Sequence, residues 1–231
     1  MRDEIRCKSQ ALRIIGEIFP AAGQAFKNAD KLSIAFKQAG VFLSLSPRLL
    51  GCYKPRMFAH RLATAADMPM LEKLMHDAIR GLLPQFLSPE KVEASFAVMG
   101  LDSQLIADGT YFIVEDEGEL AGCGGWSRRA TLFGHNHTAG RDSRLLDPSC
   151  EAARIRAMYT QPDFARRGVG RHILALCEAA ARREGFARAE LGATAGGEPL
   201  YRACGYVEIE RMDVPTPGGV TVPIARMAKA L

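Results

Sequence analysis

The stretch "PDFARRGVGRHILALCEAA" (Pro162–Ala180) decides how the rest of the chain is read. It sets Gly168 and Gly170 among Arg166, Arg167 and Arg171 at the mouth of an amphipathic helix. Glycine there costs conformational entropy, so a backbone reason is expected, either a turn or the close approach of another molecule. A strand running into a glycine-rich turn and then a helix presents unpaired N–H groups at the positive end of the helix dipole, which suits phosphate. The arginines add charge for outer phosphates. Val169, Ile173, Leu176, Cys177 and Ala180 share one side of the helix, and Gly185 closes it.

Working outward, "ARIRAMYTQP" (Ala153–Pro162) alternates Ile155, Ala157 and Tyr159 against Arg154, Arg156 and Met158, a strand pattern. "TYFIVEDEGELAGCGGWSRRATL" (Thr110–Leu132) reads as two strands with a hairpin at Glu117-Gly118, and residues 134–150 as a polar loop. Farther upstream, "MFAHRLAT" (Met57–Thr64) is a short strand, and Asp67 is placed to cap the helix "MPMLEKLMHDAIRG". Ser88-Pro89 opens a second helix, "EKVEASFAVMG". Downstream come the strand "ARAELGAT", the short helix "EPLYRACG" and a closing hairpin, "YVEIERMDV" with "VTVPIARMAKA" over "PTPGG". The order β-α-α-β-β-β-α-β-α-β-β places residues 56–231 in the α+β class, as helices sandwiching a sheet.

Charge separates this body from what precedes it. Residues 1–55 carry nine Lys/Arg against four Asp/Glu, whereas the remainder carries twenty-one against twenty-two. The basic excess therefore belongs to the N-terminal segment, which is read as a helical extension through Ile14, Ile15, Ile18, Phe19 and then Leu32, Phe36 and Phe42. Pro47, Gly51 and Pro55 mark a boundary near residue 55. Six dispersed cysteines without a C-x-x-C pair argue against a zinc or disulfide framework, and no secretory signal or membrane-length apolar run is visible. A cytoplasmic protein is expected, with no nucleic-acid partner and no membrane span.

Three nucleotide chemistries compete for the glycine turn. A phosphate loop of the Walker kind needs Gly-Lys-Ser/Thr, but Arg171-His172 stands there. A dinucleotide fingerprint needs a third glycine where Ile173 stands. The remaining reading is the pyrophosphate of coenzyme A; a bare tight turn is the bland alternative.

Pro162–Gly170 with its helix resembles the acyl-CoA signature of the GNAT superfamily of N-acetyltransferases, Q/R-x-x-G-x-G/A. "PLYRACGY" (Pro199–Tyr206) resembles that family's second, aromatic-rich signature, and "RLATAADMPMLEKL" its first strand and helix. The resemblance runs from about residue 57 to the C-terminus. It implies a mixed, mostly antiparallel sheet whose fourth and fifth strands splay in a V. It implies acetyl-CoA as cosubstrate, held by the amides of Arg166, Arg167, Gly168, Val169, Gly170 and Arg171 and by the strand edge at Met158, Tyr159 and Thr160. It also implies Tyr201 as the general acid that protonates the departing thiolate. Tyrosine holds its proton at neutral pH, with an ordinary pKa of about 10, and so has one to give.

The expected activity is transfer of acetyl from acetyl-CoA to a primary amine in a ternary complex. A non-catalytic acyl-CoA sensor using the N-terminal helices as its effector arm is the rival reading, and another acyl group stays open. The sequence departs from the family pattern at Ala165, at Arg154 where some members carry a glutamate base, and in "TAGGEP", which lacks an asparagine. Glu151, Glu198, Tyr111 and His135 are the candidate bases. Trp126, Arg128 and Arg129 are either a receptor for a carboxylate-bearing acceptor or a surface strand end. His135 and His137 lack an obvious third ligand, so no metal is expected. Cys204 is read as buried, and a homodimer through the last strands or N-terminal helices stays open.

Overall fold

The computed structural model of the protein describes residues 58–136 and 141–231. The helical extension over residues 1–55, the boundary beside it and His137 lie outside the described residues.

The elements are β1 (Ala59–Leu62), α1 (Met68–Leu82), α2 (Pro89–Ser95), α3 (Ser103–Ala107), β2 (Tyr111–Asp116), β3 (Glu119–Ser127), β4 (Ala153–Thr160), α4 (Val169–Arg183), β5 (Arg188–Thr194), α5 (Glu198–Ala203), β6 (Val207–Pro215) and β7 (Thr221–Ala230). The short helix α3, with Asp102 accepting from the Gln104 amide as its N-cap, is the one element beyond the expected order. Seven strands form one sheet, β1-β2-β3-β4-β5-β7-β6. Only the β4–β5 pair is parallel.

The sheet is coated on both faces because its strands alternate. Phe112 and Val114 join the core beneath α4, whereas Tyr111 and Ile113 join the core beneath α1. Helix α4 buries Val169, Ile173, Leu174, Cys177 and Ala181 and ends with Gly185 at φ 89°. Its one buried acid, Glu178, takes both oxygens to Lys229 Nζ at 2.9 Å. The hairpin turn holds Glu117 and Gly118 at φ 55° and 87°, the double left-handed geometry expected of a two-residue turn.

Two local readings need correction. Asp67 does not cap α1; its carboxylate turns back to the Thr64 amide and hydroxyl, both at 2.8 Å, and to Arg61 at 2.7 and 2.8 Å. The guanidinium holds that carboxyl well below the usual range. The simple alternation of β4 also fails. Ala157 has φ 50°, and the β3–β4 register slips between Cys123 and Gly125. This bulge turns Ile155 and Met158 toward the α4 face and Ala157 and Tyr159 toward the α1 face.

Glycines of β3 let α4 lie close on the sheet. A Cβ on Gly122 would stand 2.7 Å from Val169 Cγ1 and 2.8 Å from the Tyr159 carbonyl, and one on Gly124 would stand 2.6 Å from Ile173 Cγ2. That approach sets the first turn of α4 beside the end of β4. Gly122→Ala is expected to cost about 1–3 kcal/mol through overpacking, read from urea unfolding. An unchanged midpoint would mean that α4 is not held at this spacing.

Candidate functional site

Strands β4 and β5 pair only at Ala153–Ala189 and Arg154–Glu190. Beyond that point β4 stays paired to β3 as far as Thr160, and β5 stays paired to β7 as far as Thr194. Each strand keeps its outer neighbour while the two diverge, so a V opens inside a continuous sheet. The inner edge of β4 carries peptide groups without a partner strand. Tyr111 steadies the bulge on that edge, its hydroxyl donating to the Ala157 carbonyl at 2.6 Å. The cleft holds about 150 Å³ and is bounded by Met158, Thr160, Gly196, Gly197, Leu200 and Tyr201.

This cleft runs on into a wider groove of about 560 Å³ over the glycine turn. There Arg166 adopts φ 63° and Gly168 φ 94°, and α4 starts at Val169 without a side-chain cap. The amides of Val169, Gly170 and Arg171 therefore face the groove with the helix dipole behind them. Gly170 sits at the floor, where a Cβ would meet Leu200 Cδ2 at 2.8 Å. Arg166 and Arg171 line the rim and are exposed, and neither has an ion-pair partner among the described residues. Arg167 stacks over the Phe164 ring at 5.1 Å instead of lining the groove.

Tyr201 stands at the apex. Helix α5 carries it, and Gly197 makes room, since a Cβ there would stand 2.9 Å from the Tyr201 ring. Its hydroxyl lies 3.7 Å from Met158 Sδ, and its ring meets Tyr206 edge-on at 5.9 Å. Burial pushes the Tyr201 phenol above its ordinary pKa, so it is protonated throughout the neutral range. Below it lies a second cavity, reaching Gly134, Arg156, Gly192 and Ile224.

Of the residues read as site residues, the structure brings Met158, Thr160, Arg166, Gly168, Gly170, Arg171 and Tyr201 to one connected cleft. Val169 and Tyr159 contribute backbone, because their side chains are buried in the two cores.

The candidate bases fare differently. Glu151 is clasped by Arg144 through two contacts of 2.8 Å, which holds its pKa down at about 2. Glu198 is paired bidentately with Arg211 at 2.9 Å and is likewise held low. Tyr111 is fully buried, and burial raises its pKa. The His135 ring nitrogen meets the Ala97 carbonyl at 3.1 Å. Arg154 pairs with Glu190 at 2.6 Å at the closed end of the V.

The strand-end reading of "GGWSRRA" is the one the geometry favours. Trp126 is buried against Phe186, Arg128 is bound to Glu184 and Arg129 is bound to Asp108 at 2.7 and 2.9 Å. These residues sit opposite Arg154 and Ile155, at the end of β3 away from the mouth. What the sequence reading missed is Arg156, buried beside the lower cavity, together with Asp102, which holds it. Its signal was an arginine flanked by Ile155 and Ala157 within a strand.

Residues 107–208 match a protein-family model described as an acetyltransferase (GNAT) domain. No curated protein matches the chain. Among solved structures, a GCN5-related N-acetyltransferase from Rhodopseudomonas palustris is similar, with TM-score 0.56 and 22% identity over 75% of this chain and 95% of its own. The PaiA N-acetyltransferase of Thermoplasma acidophilum, solved in complex with coenzyme A, has TM-score 0.51 and 12% identity over 76% and 99%. YncA of Salmonella typhimurium, solved with acetyl-CoA, has TM-score 0.51 and 17% identity over 76% and 94%. At these identities the likeness is one of fold.

The described cysteines are poor nucleophiles where they are close to the sheet. Burial pushes Cys123 up to about 12 and raises Cys177 as well, while Cys150 is exposed and Cys204 half-buried. Iodoacetamide at neutral pH is expected to label Cys150 and spare Cys123 and Cys177 in the folded protein, as read by peptide mass spectrometry. Fast labelling of Cys123 would reopen a covalent route.

Proposed function

We propose that the chain, whose residues 107–208 match an acetyltransferase (GNAT) domain, is a GNAT acetyltransferase that moves the acetyl group of acetyl-CoA to a primary amine by direct transfer in a ternary complex. The observation that carries this reading is one connected path. The uncapped start of α4 opens into the cleft between β4 and β5, and Tyr201 stands at its inner end. On this reading the transferase domain occupies residues 56–231 and residues 1–55 form an extension.

The diphosphate rests on the amides of Gly168 to Arg171, with Arg166 and Arg171 meeting outer phosphate oxygens. Arg167 contributes its backbone at the turn. The pantetheine arm lies along Met158, Tyr159 and Thr160 as a substitute strand, its amides pairing with the edge that β5 leaves open. That path brings the thioester beside Met158, below the Tyr201 hydroxyl. The complexes of PaiA with coenzyme A and YncA with acetyl-CoA support the choice of cosubstrate.

The amine nitrogen attacks the thioester carbon, and unpaired N–H groups of the bulged strand polarise the carbonyl oxygen. As the C–N bond forms, the C–S bond breaks and negative charge gathers on sulfur. Tyr201 donates its proton there and regains one from solvent, while the proton lost by the amine leaves through water. With Glu151 and Glu198 locked in arginine clasps, neither is assigned as base.

Wild-type protein assayed by CoA release against an amine panel tests the proposal. Tight acetyl-CoA binding without turnover of any amine would favour the sensor. Tyr201→Phe is expected to cut turnover by about tenfold or more while leaving calorimetric acetyl-CoA binding nearly intact; unchanged turnover removes Tyr201 from the step. Because burial raises the phenol's pKa, no alkaline limb from Tyr201 is expected below its ordinary pKa of about 10.

A further inference from the structure

A buried guanidinium lines the cavity beneath Tyr201. Arg156, on β4, is 5% exposed. Its Nη1 lies 2.6 Å from Asp102 Oδ2, and its Nη2 donates to the Gly134 carbonyl at 2.7 Å. Its Nε is buried without a hydrogen-bond partner. The same carboxylate also serves Arg141, whose Nη2 lies 2.8 Å from Asp102 Oδ1. Arg129, the next cation along this polar wall, is neutralised by Asp108. Among the described residues two guanidiniums therefore share one carboxylate, and Arg156 is the more deeply buried of the two. Burial is the main influence on Arg156 and pulls its pKa down, so the site works against its own charge.

Such a charge is costly unless something neutralises it. Arg156 also lines the cavity that contains Met158 and Tyr201. Met158, just past the Ala157 bulge on the same strand, lines that cavity with Arg156. A planar guanidinium suits a carboxylate.

We propose that Arg156, steadied by Asp102, is the acceptor-binding residue that selects amines carrying a carboxylate. This deepens the transferase reading and rests on it for the location of the acceptor. The carboxylate meets the Arg156 guanidinium where it borders the cavity, which directs the amine toward the thioester beside Met158.

The test compares amino acids with their carboxamides as acceptors, and N-acetyl amino acids with their carboxamides as ligands of the CoA-loaded protein. Wild-type kcat/KM and calorimetric affinity are expected to favour the acids by about tenfold or more, the worth of one charge-assisted bond. Arg156→Gln should erase most of that preference by raising the acceptor KM, with the KM for acetyl-CoA little changed. If that variant fails to fold, Arg141→Gln, which leaves Arg156 balanced by Asp102, should weaken the preference in the same direction. Equal treatment of acids and amides by the wild type overturns the proposal, as does a stronger preference for phosphorylated amines. Absence of turnover with any amine would sink the transferase reading alone; the binding comparison then still decides whether Arg156 reads a carboxylate.

Discussion

The whole site depends on two parallel strands that start together and then part. Two register positions join β4 to β5, after which each strand is held by its outer neighbour alone. A gap inside a sheet is unfavourable by itself, because it strands peptide groups that want partners. Here it is built in. The bulge at Ala157 turns the edge, Tyr111 holds that bulge through the Ala157 carbonyl, and Gly122 and Gly124 let α4 settle against the neighbouring strand. On the proposed reading, the unmet hydrogen bonds of this edge pair with the amides of the pantetheine arm. Because Val169 sits against β3, the helix start is fixed at the mouth of the same gap.

Electrostatics tell the same story from the surface inward. Many arginines away from the mouth are matched: Arg61 with Asp67, Arg128 with Glu184, Arg144 with Glu151, Arg154 and Arg226 with Glu190, Arg211 with Glu198. The exposed pairs contribute little to stability. Arg166 and Arg171, without an ion-pair partner among the described residues, lie beside uncapped amides, the arrangement that the proposed diphosphate site uses. In the lower cavity the buried Arg156 shares its one carboxylate with Arg141.

Much of this was legible in the sequence, for identifiable reasons. Gly168 announces itself because few residues tolerate a left-handed turn at the start of an apolar-faced helix, and Gly170 because a second glycine there signals a close approach, met here by Leu200. Tyr201 was legible through its place in an aromatic-rich short helix. The β4 bulge was not, since a strand of Arg154 to Tyr159 alternates regardless of a slip, and only pairing against β3 reveals it. The same slip hid Arg156, which looked like an outward residue and is in fact buried. Asp67 looked like a helix cap because sequence cannot show that Arg61 competes for its carboxylate. Arg128 and Arg129 looked available for a ligand because their partners, Glu184 and Asp108, are distant in sequence.

The measurement that bears most directly on this account is a titration of the isotope-labelled protein with coenzyme A, followed through backbone amide resonances. Shifts should concentrate at Gly168, Val169, Gly170 and Arg171 and extend along Met158 to Thr160. Pantetheine, which lacks the diphosphate, should move the strand residues and leave the helix start in place. If coenzyme A moves none of these amides, or pantetheine moves the helix start equally, the diphosphate is not held there and the account is wrong.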